Sequence, residues 1–280
     1  MTVLPVSVII IARNAETTLE ECLASVMRNM PAEIIVVDGN STDRTVEIAR
    51  RYNARIFSDE GRGQGYARQL GAEQAAQEYI AYIDSDVVLT EGALATMLTD
   101  FQHSTCVSLH ARVSPDNKCA DYWEWAQQQH HRYSTRQGEA ISMLASIFKR
   151  STVLKYGFDP AAEHLDDMSL EFKLKKDGYR FGTSSALVYH HWKTGFMSMV
   201  NHRFLLGRYK PRAIVKYGPW HAGFWPPLST AFWLIFWLAK GKLKLIPYHV
   251  VDGVVQTAGM IKGFWEIKGE ILRRGWDNHA

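Results

Sequence analysis

The chain opens with short apolar runs that alternate with segments of helical periodicity. Val6–Ile11 and Glu33–Asp38 are rich in β-branched residues, which predicts strands buried on both faces of a sheet. Two further strands are predicted at Arg55–Phe57 and Tyr79–Ile83. The alternation predicts an α/β fold with a Rossmann-type, mostly parallel sheet flanked by helices. The helices are predicted at 17–27, from 42 or 43 to 49, and at 66–77.

Polar side chains follow the carboxyl ends of several of these strands. Arg13 and Asn14 come just after the first strand, Asp38 ends the second, and Asp84 follows the fourth. In an open α/β sheet, ligands bind in the crevice outside these strand ends. The pattern therefore predicts one ligand site to which all these side chains contribute.

Asp84-Ser85-Asp86 places two carboxylates two residues apart, directly after an apolar strand. Such a pair can approach one hard divalent cation, such as Mg²⁺ or Mn²⁺, which prefers oxygen ligands and shares them with substrate phosphates. A bound cation would neutralise a diphosphate leaving group. The alternative is an acidic surface turn without a ligand, and the motif alone does not separate the two.

Several segments resemble, in order and spacing, the nucleotide-binding half of family-2 glycosyltransferases, which have the GT-A fold. The most specific are VDGNSTDRT at 37–45, ARQLGA at 67–72 and YIDSD at 82–86, although the family usually has Asn where this chain has Gln69. The resemblance is close over residues 1–100 and looser up to 195. It implies an inverting hexosyltransferase that uses a UDP- or GDP-sugar, assisted by Mg²⁺ or Mn²⁺.

The resemblance also implies roles for individual residues. Asp38 matches the carboxylate that accepts a hydrogen bond from the base, and Arg68 matches an arginine near the nucleotide. Asp84 is expected to reach the ribose or the metal, and Asp86 the metal. Asp43 has the alternative role of a helix cap, and Arg68 that of a solvated helix face. The loop that surrounds the base and ribose is expected at Ala12, Arg13, Asn14 and Glu16, and Asp43 closes it.

A second cluster, His164-Leu165-Asp166-Asp167, resembles the Glu-Asp pair that opens a helix in the family's acceptor half, with Asp166 in place of Glu. Inverting transfer needs a base that takes the proton from the attacking acceptor hydroxyl. Asp167 is the candidate for this base, and Asp166 is the alternative. Both carboxylates also suit the N-terminus of a helix through its dipole, without any catalytic role.

Two features beyond this helix carry further expectations. His190 and His191 follow a predicted strand, where GT-A enzymes often complete the metal site with a histidine. Adjacent strand residues point to opposite faces, so one ligand is expected, and His190 is favoured.

Arg203 and Arg208 lie in a basic, aromatic stretch and are predicted to bind the diphosphate as a lid, or else membrane phosphates. A long-chain polysaccharide synthase is disfavoured because the Gln-x-x-Arg-Trp segment of processive relatives is missing here.

The last quarter of the chain is apolar and holds most of the nine tryptophans, with no charged residue in 217–239. Leu228–Ala239 is too short to span a bilayer, which takes about 20 residues. A second apolar region, Leu245–Phe264, is predicted to be broken at Gly253 and Gly259. This composition predicts a helical appendage on the cytoplasmic face of a membrane, and the alternative is a hairpin that packs on protein or joins a homo-oligomer. Basic residues follow the first apolar helix at Lys240, Lys242 and Lys244.

Three segments are therefore predicted: a nucleotide-sugar-binding half (1–100), an acceptor-binding half (101–215) and the apolar appendage (216–280). The net charge of +3 is too small to indicate a nucleic-acid partner. Three cysteines without a CxxC pair favour a reduced, cytosolic setting. The alternative function is a non-catalytic nucleotide-sugar-binding subunit of a membrane assembly. A nucleotidyltransferase is disfavoured because no glycine- and lysine-rich triphosphate loop occurs near residue 12.

Overall fold

The computed structural model describes residues 2–134, 141–159, 165–217 and 225–274. The chain forms two compact units. The first, here called the sheet unit, comprises 1–118 and 132–191, and the second, the helical unit, comprises 119–131 and 192–280. The helix that spans Phe196–Tyr217 lies in the helical unit, although its sequence falls in the segment predicted to be the acceptor-binding half.

The sheet unit holds eight strands, and helices connect them. The strands are β1 (Leu4–Ala12), β2 (Pro31–Asp38), β3 (Arg55–Ser58), β4 (Tyr79–Ile83), β5 (Val87–Leu89), β6 (Ser108–Val113), β7 (Ala145–Lys149) and β8 (Phe181–His190). The helices of this unit are α1 (Leu19–Arg28), α2 (Thr45–Arg51), α3 (Gln64–Gln74), α4 (Ala93–Gln102), α6 (Arg150–Tyr156) and α7 (Asp166–Lys176). The helix α5 (Tyr122–Ser134) belongs to the helical unit except for its last residues.

The strand order is β3-β2-β1-β4-β7-β6-β8-β5. The first four strands in this order run parallel, as the alternation of strands and helices predicted. The expectation of a mostly parallel sheet is corrected for the other half, where β7 is antiparallel to both of its neighbours and β5 is antiparallel to β8. The sheet is therefore mixed: β6 and β8 run parallel to each other, but β7 lies between β4 and β6 in the opposite direction.

The sheet is buried on both faces, because successive side chains of its central strands point alternately into two apolar clusters, one on each face. Val8 and Ile10 of β1 belong to the cluster beneath α1 and α4, and Ile9 belongs to the cluster beneath α3 and α7. Gly71 of α3 lies against Ile9, where an added Cβ would collide with the Ile9 side chain. The close approach of α3 to β1 brings the start of this helix to the carboxyl edge of the sheet.

The helical unit holds α8 (Phe196–Tyr217), α9 (Pro226–Ala239), a 3₁₀ turn (Leu243–Leu245) and α10 (Ile246–Arg274). Its core contains Met199, Trp237 and Tyr248. The predicted break in the second apolar region is wrong, since α10 continues through both glycines. An added Cβ at Gly259 would collide with the backbone of Phe204 in α8, and one at Gly253 with Thr230 of α9. The glycines therefore permit close helix packing and do not end the helix.

The helices of this unit are not long and apolar enough for a bilayer crossing, as far as the described residues go. The longest, α10, has 29 residues but carries charged and polar side chains along its length.

Candidate functional site

Asp38 ends β2 at the carboxyl edge of the sheet, directly across from Ala12 in the parallel register with β1. The Gly39 N–H donates to the Ala12 carbonyl at 2.8 Å, which holds the start of the next loop against β1. The Ser41 N–H donates to Asp38 Oδ2 at 3.1 Å. Asp38 is buried, and this hydrogen bond from the loop fixes the orientation of its carboxylate.

The loops that follow β1 and β2 are tied to one another by side chains. The Asn14 N–H donates to Ser41 Oγ at 2.9 Å, and the Thr42 N–H donates back to Asn14 Oδ1 at 2.9 Å. Asn14 adopts a positive φ of 49°, which Asn tolerates better than most residues. The Glu16 N–H donates to Asp43 Oδ2 at 3.0 Å, so Asp43 closes the two loops together. The residues predicted to surround the base and ribose therefore lie in two loops that hydrogen bonds join to each other. Arg13 lies in the first of these loops and is exposed.

Asp84 follows β4 and begins a tight turn, because the Val87 N–H donates to the Asp84 carbonyl at 3.0 Å. The Asp84 N–H is bound to the Leu144 carbonyl at 3.0 Å, which anchors the turn to the segment before β7. Burial raises the pKa of the Asp84 carboxyl, Arg68 opposes this rise, and the charge of Asp86 adds to it. Two carboxylates held this close favour a cation between or beside them.

Arg68 lies in α3 and bridges two carboxylates from different parts of the chain. Its NH2 lies 3.1 Å from Asp84 Oδ1, and its NH1 contacts Asp166 Oδ2. The Arg68 side chain is 7% exposed, so the alternative of a solvated helix face is wrong. Burial disfavours the charged guanidinium, but Asp166 and Asp84 outweigh it and raise the Arg68 pKa, so the group stays charged.

Asp166 and Asp167 begin α7, as expected for carboxylates at a helix N-terminus. Asp166 is buried against Arg68, whereas Asp167 is half-buried and its Oδ1 accepts a hydrogen bond from the Met168 N–H at 2.8 Å. Burial, followed by the charge of Asp166, raises the pKa of Asp167 to about 7, although Arg68 opposes this rise. A carboxylate that titrates near neutrality can act as a general base. His164 lies outside the described residues.

His190 ends β8 and approaches the same turn from its other side. Its Nε2 lies 3.3 Å from Asp86 Oδ1. The backbone of His190 is held by Asn117, whose Oδ1 accepts from the His190 N–H at 2.9 Å and whose Nδ2 donates to the His190 carbonyl at 3.0 Å. His191 points elsewhere, toward Glu21 at 2.9 Å.

Sequence reasoning missed three supporting residues of this site. Asn117 holds His190, the Tyr82 hydroxyl donates to the Arg68 carbonyl at 3.0 Å, and the Cys22 Sγ lies 3.6 Å from the Asp84 carbonyl. Burial raises the pKa of the Cys22 thiol, with Asp86 and Asp84 adding to the rise, so the thiol stays protonated. Asn117 and Cys22 lie outside the most specific of the segments that resemble the family, and Tyr82 lies within YIDSD, but the contact of each is with a residue distant in sequence, which the sequence alone does not show.

Within the described ranges, no three Cys, His, Asp or Glu side chains already form a cluster with the geometry of a metal site. Asp84, Asp86 and His190 therefore are not a preformed three-ligand cage. Mg²⁺ and Mn²⁺ do not require one, because they are commonly held by one or two carboxylates together with substrate phosphates and water. The oxygen-rich donor set around Asp86 fits such a cation.

The two predicted lid arginines lie in α8 of the helical unit, and each has a carboxylate partner in α10. Arg203 Nε lies 3.3 Å from Asp252 Oδ1, and its NH2 contacts the Tyr248 hydroxyl. Arg208 Nε donates to Glu266 Oε2 at 2.8 Å. These pairs join α8 to α10, and a diphosphate role for either arginine stays a prediction.

Carboxylates gathered beyond the ends of parallel strands are typical of nucleotide-binding α/β proteins. Residues 7–150, about half of the chain, match the family described as glycosyl transferase family 2. The chain belongs to this family. The resemblance inferred from the VDGNSTDRT, ARQLGA and YIDSD segments is thereby confirmed.

Two curated relatives show how far the likeness extends. The chain is 26% identical over 184 residues to poly-beta-1,6-N-acetyl-D-glucosamine synthase of Staphylococcus aureus, covering 60% of this chain and 45% of the synthase. It is 37% identical over 105 residues to 4,4'-diaponeurosporenoate glycosyltransferase of Staphylococcus haemolyticus, covering 34% of this chain and 28% of that protein. The chain thus spans less than half the length of these relatives.

Solved structures share the fold at low identity. The mannosyltransferase PcManGT from Pyrobaculum calidifontis, in complex with GDP-Man and Mn²⁺, has a TM-score of 0.65 and 17% identity and covers 94% of this chain and 87% of its own. Glucosyl-3-phosphoglycerate synthase from Mycobacterium tuberculosis, with Mn²⁺, UDP and glucosyl-3-phosphoglycerate, has a TM-score of 0.55 and 17% identity, covering 75% and 77%. These matches confirm the GT-A-like fold.

Proposed function

We propose that this chain is an inverting glycosyltransferase that moves a sugar from a UDP- or GDP-sugar to a membrane-proximal acceptor, lipid-linked or glycolipid. The observation that carries the proposal is the convergence of carboxylates from separate parts of the sheet unit on Arg68. Asp84 comes from the end of β4 and Asp166 from the start of α7, with Asp167 next to it. Membership of glycosyl transferase family 2 supports the same reaction class.

The donor is assigned to the carboxyl edge of β1, β2 and β4. Asp38 offers a fixed carboxylate to the base, and the interlocked loops that contain Asn14 and Glu16 form the wall beside it. Structures with the same fold hold GDP-Man or UDP, which favours these two donor classes without choosing between them. The sugar would then lie toward Asp84 and Asp86, where the diphosphate departs.

Asp86 and Asp84, with His190 as the third side chain, are the residues that would hold Mg²⁺ or Mn²⁺. Such a cation, when bound, offsets the negative charge that builds up on the departing nucleoside diphosphate. Asp86 is better placed than Asp84 to be the main ligand, because Asp84 already contacts Arg68 whereas Asp86 faces His190. The two similar structures that contain Mn²⁺ support a divalent cation here as well.

Asp167 is assigned as the base that removes the proton of the acceptor hydroxyl. Its pKa of about 7 makes it both basic enough to accept a proton and partly ionised at neutral pH. Asp166 is less suited to this role, because its carboxylate is buried in the contact with Arg68. The acceptor hydroxyl attacks the anomeric carbon from the side opposite the diphosphate, which inverts the configuration.

The helical unit is assigned to a lipid surface. On α9 a line of exposed apolar side chains recurs at helical spacing, and α10 carries a second such line with Val254, Ile261 and Trp265. Trp265 beside basic residues is typical of the membrane interface. The large exposed apolar residues of α9 are Leu228, Phe232, Ile235 and Leu238, and Lys240, Lys242 and Lys244 follow the helix.

The first experiment is a thermal-shift screen of UDP, GDP and other nucleoside diphosphates, each with and without Mn²⁺. A ligand that binds the folded state raises the melting temperature by mass action, so the donor base should give the largest shift. Release of the nucleoside diphosphate from the matching sugar nucleotides then tests chemistry. Binding without any release, even with a range of acceptors, would instead favour a non-catalytic nucleotide-sugar-binding subunit.

Replacing Asp86 with Ala tests the cation role. We expect D86A to lose sugar transfer while it keeps the melting temperature of the unliganded wild type, since Asp86 is a partly exposed turn residue. Full activity in D86A would remove Asp86 from the proposed site.

A further inference from the structure

Arg68 joins two carboxylates that lie on opposite sides of the proposed reaction. Asp84 stands 16 residues away along the chain, on the donor side, and Asp166 stands 98 residues away, on the acceptor side. The two contacts use different nitrogens of the guanidinium, so both can be made at once. A planar, forked group can serve two partners in this way, whereas a lysine ammonium cannot reproduce the geometry.

The bridge is set in rigid surroundings. The Tyr82 hydroxyl donates to the Arg68 carbonyl at 3.0 Å, and the Tyr82 ring packs edge-on against Phe148 and Phe158. One turn earlier in α3, Gly65 lies so close to α7 that an added Cβ would be 3.3 Å from the Asp166 Cβ. With its backbone and neighbours fixed, Arg68 has little freedom to leave one carboxylate without changing its contact with the other.

We propose that Arg68 is a positioning residue that couples Asp84 to Asp166, so that the contact of Arg68 with the acceptor-side carboxylate sets how available Asp84 is to a cation. The inference rests on the proposed function, because it takes Asp84 and Asp86 as the cation site. It assigns to Asp166 the role of sharing Arg68 with Asp84, which differs from the roles proposed for the base and for the donor-binding residues.

The direction of the coupling follows from charge balance. In the wild type, the positive charge of Arg68 is shared between two carboxylates. If Asp166 were neutral, Asp84 would be the remaining direct partner and would be held more strongly, because ion pairing in a poorly solvated site is strong. A divalent cation would then compete with Arg68 for the same oxygen atoms. Neutralising Asp166 should therefore weaken cation binding at the Asp84–Asp86 turn.

The test is a Mn²⁺ titration of the whole 280-residue chain, in which electron paramagnetic resonance follows the signal of free Mn²⁺. It is run with UDP and with GDP on four proteins: wild type, D166N, R68M and the double variant. We expect D166N to weaken Mn²⁺ binding at least about fivefold, within the usual range for coupled sites. In the R68M background the same Asp166 change should alter Mn²⁺ affinity less than twofold, because the connecting group is gone.

Three further variants separate coupling from damage to α7. L174A removes a buried side chain of α7 and should lower the melting temperature while leaving Mn²⁺ affinity unchanged. D166E restores a carboxylate and should recover most of the lost affinity. R68K keeps the charge but not the fork, so the effect of D166N should be smaller there, and this comparison replaces R68M if that protein does not fold.

Two results overturn the inference alone: a D166N affinity within twofold of wild type, or an equal loss from D166N whether Arg68 is present or not. The second result would mean that Asp166 acts on the cation directly through space. A wild-type protein that binds no Mn²⁺ with any nucleoside diphosphate would overturn the proposed function, and the inference with it.

Discussion

His190 Nε2 lies 3.3 Å from Asp86 Oδ1, whereas its neighbour His191 turns to Glu21 at 2.9 Å. Two adjacent histidines therefore serve different carboxylates, one at the predicted cation site and one away from it. His190 is the last residue of β8 and His191 follows it, and successive residues of an extended chain point to opposite sides, which explains the split. The pair forms a natural comparison, because each histidine contacts a carboxylate and the two residues are adjacent in sequence.

Replacing His190 with Ala should weaken Mn²⁺ binding about tenfold or more, as expected when a ligand or its direct support is removed. The reason is that Asp86 loses the imidazole that orients it. Mn²⁺ affinity measured by calorimetry in the presence of the donor nucleotide checks this. H191A is the matched control and should leave the affinity within twofold. Equal losses in the two variants would contradict a specific role for His190.

The raised pKa of Asp167 predicts an acid limb in the pH profile of sugar transfer. Because the pKa is about 7, the rate constant kcat/KM should fall as the pH drops below about 7, where the base becomes protonated. D167N should lose about 10²-fold to 10⁴-fold of kcat, the usual contribution of a general base. Activity of D167N that keeps both the rate and the acid limb would assign the base elsewhere.

The same group predicts a pH-dependent difference in stability. Its pKa is raised from 3.8 to about 7 in the folded protein, so folding is favoured by its protonated form. That contribution is fully present below about pH 4 and is lost as the pH rises through about 7. D167N should therefore melt at a higher temperature than wild type above pH 7, and the difference should shrink toward pH 4. The exposed Asp116 supplies the control, since D116N should show no such trend.

The apolar lines on α9 and α10 predict binding to lipid vesicles. Replacing Ile235 and Leu238, both more than half exposed, with Glu should lower vesicle binding tenfold or more, since each large apolar side chain contributes about 1.5–3 kcal/mol when buried. Sedimentation with vesicles that contain anionic lipid measures the change. M27E places the same charge on an exposed apolar residue of the sheet unit and should not affect binding. If all three proteins sediment alike, another surface or none contacts lipid.

The contact of Gly259 with the α8 backbone predicts a strong effect of a single methyl group. G259A should destabilise the helical unit by about 1–3 kcal/mol, because the new Cβ would collide with Phe204 and the helices would have to separate. Helix propensity alone predicts the opposite sign, a gain of about 1 kcal/mol. Thermal unfolding followed by circular dichroism decides between them, with V254A on the exposed side of α10 as the control.

The donor edge could be predicted from the sequence because each strand there is a short apolar run that ends in a polar residue. Asp38 and Asp84 are found by this rule, and the register of β1 with β2 and β4 then brings their strand ends together. The Arg68–Asp166 contact could not be found in this way. It joins residues 98 positions apart, and the sequence around each residue gives no indication that the other is its partner.

The continuity of α10 was missed for a different physical reason. Glycine inside an apolar stretch lowers helix propensity, so the sequence favoured a break at Gly253 and Gly259. Tertiary packing reversed this, since an opposing backbone or side chain occupies the space where a Cβ would stand. The mixed half of the sheet was missed similarly, because β6 and β7 owe their positions to strand pairing rather than to a repeating βα pattern.

The glycine contacts of α10 also limit sliding between the helices of the helical unit. Gly207 of α8 meets Gln256, while Gly259 and Gly263 of α10 meet Phe204 and Arg208, so a shift of one helix along the other would push a side chain into a backbone. α10 is about 43 Å long at the usual helical rise of about 1.5 Å per residue. Because of these contacts, α8 and α10 would move as one rigid body at any surface that they bind.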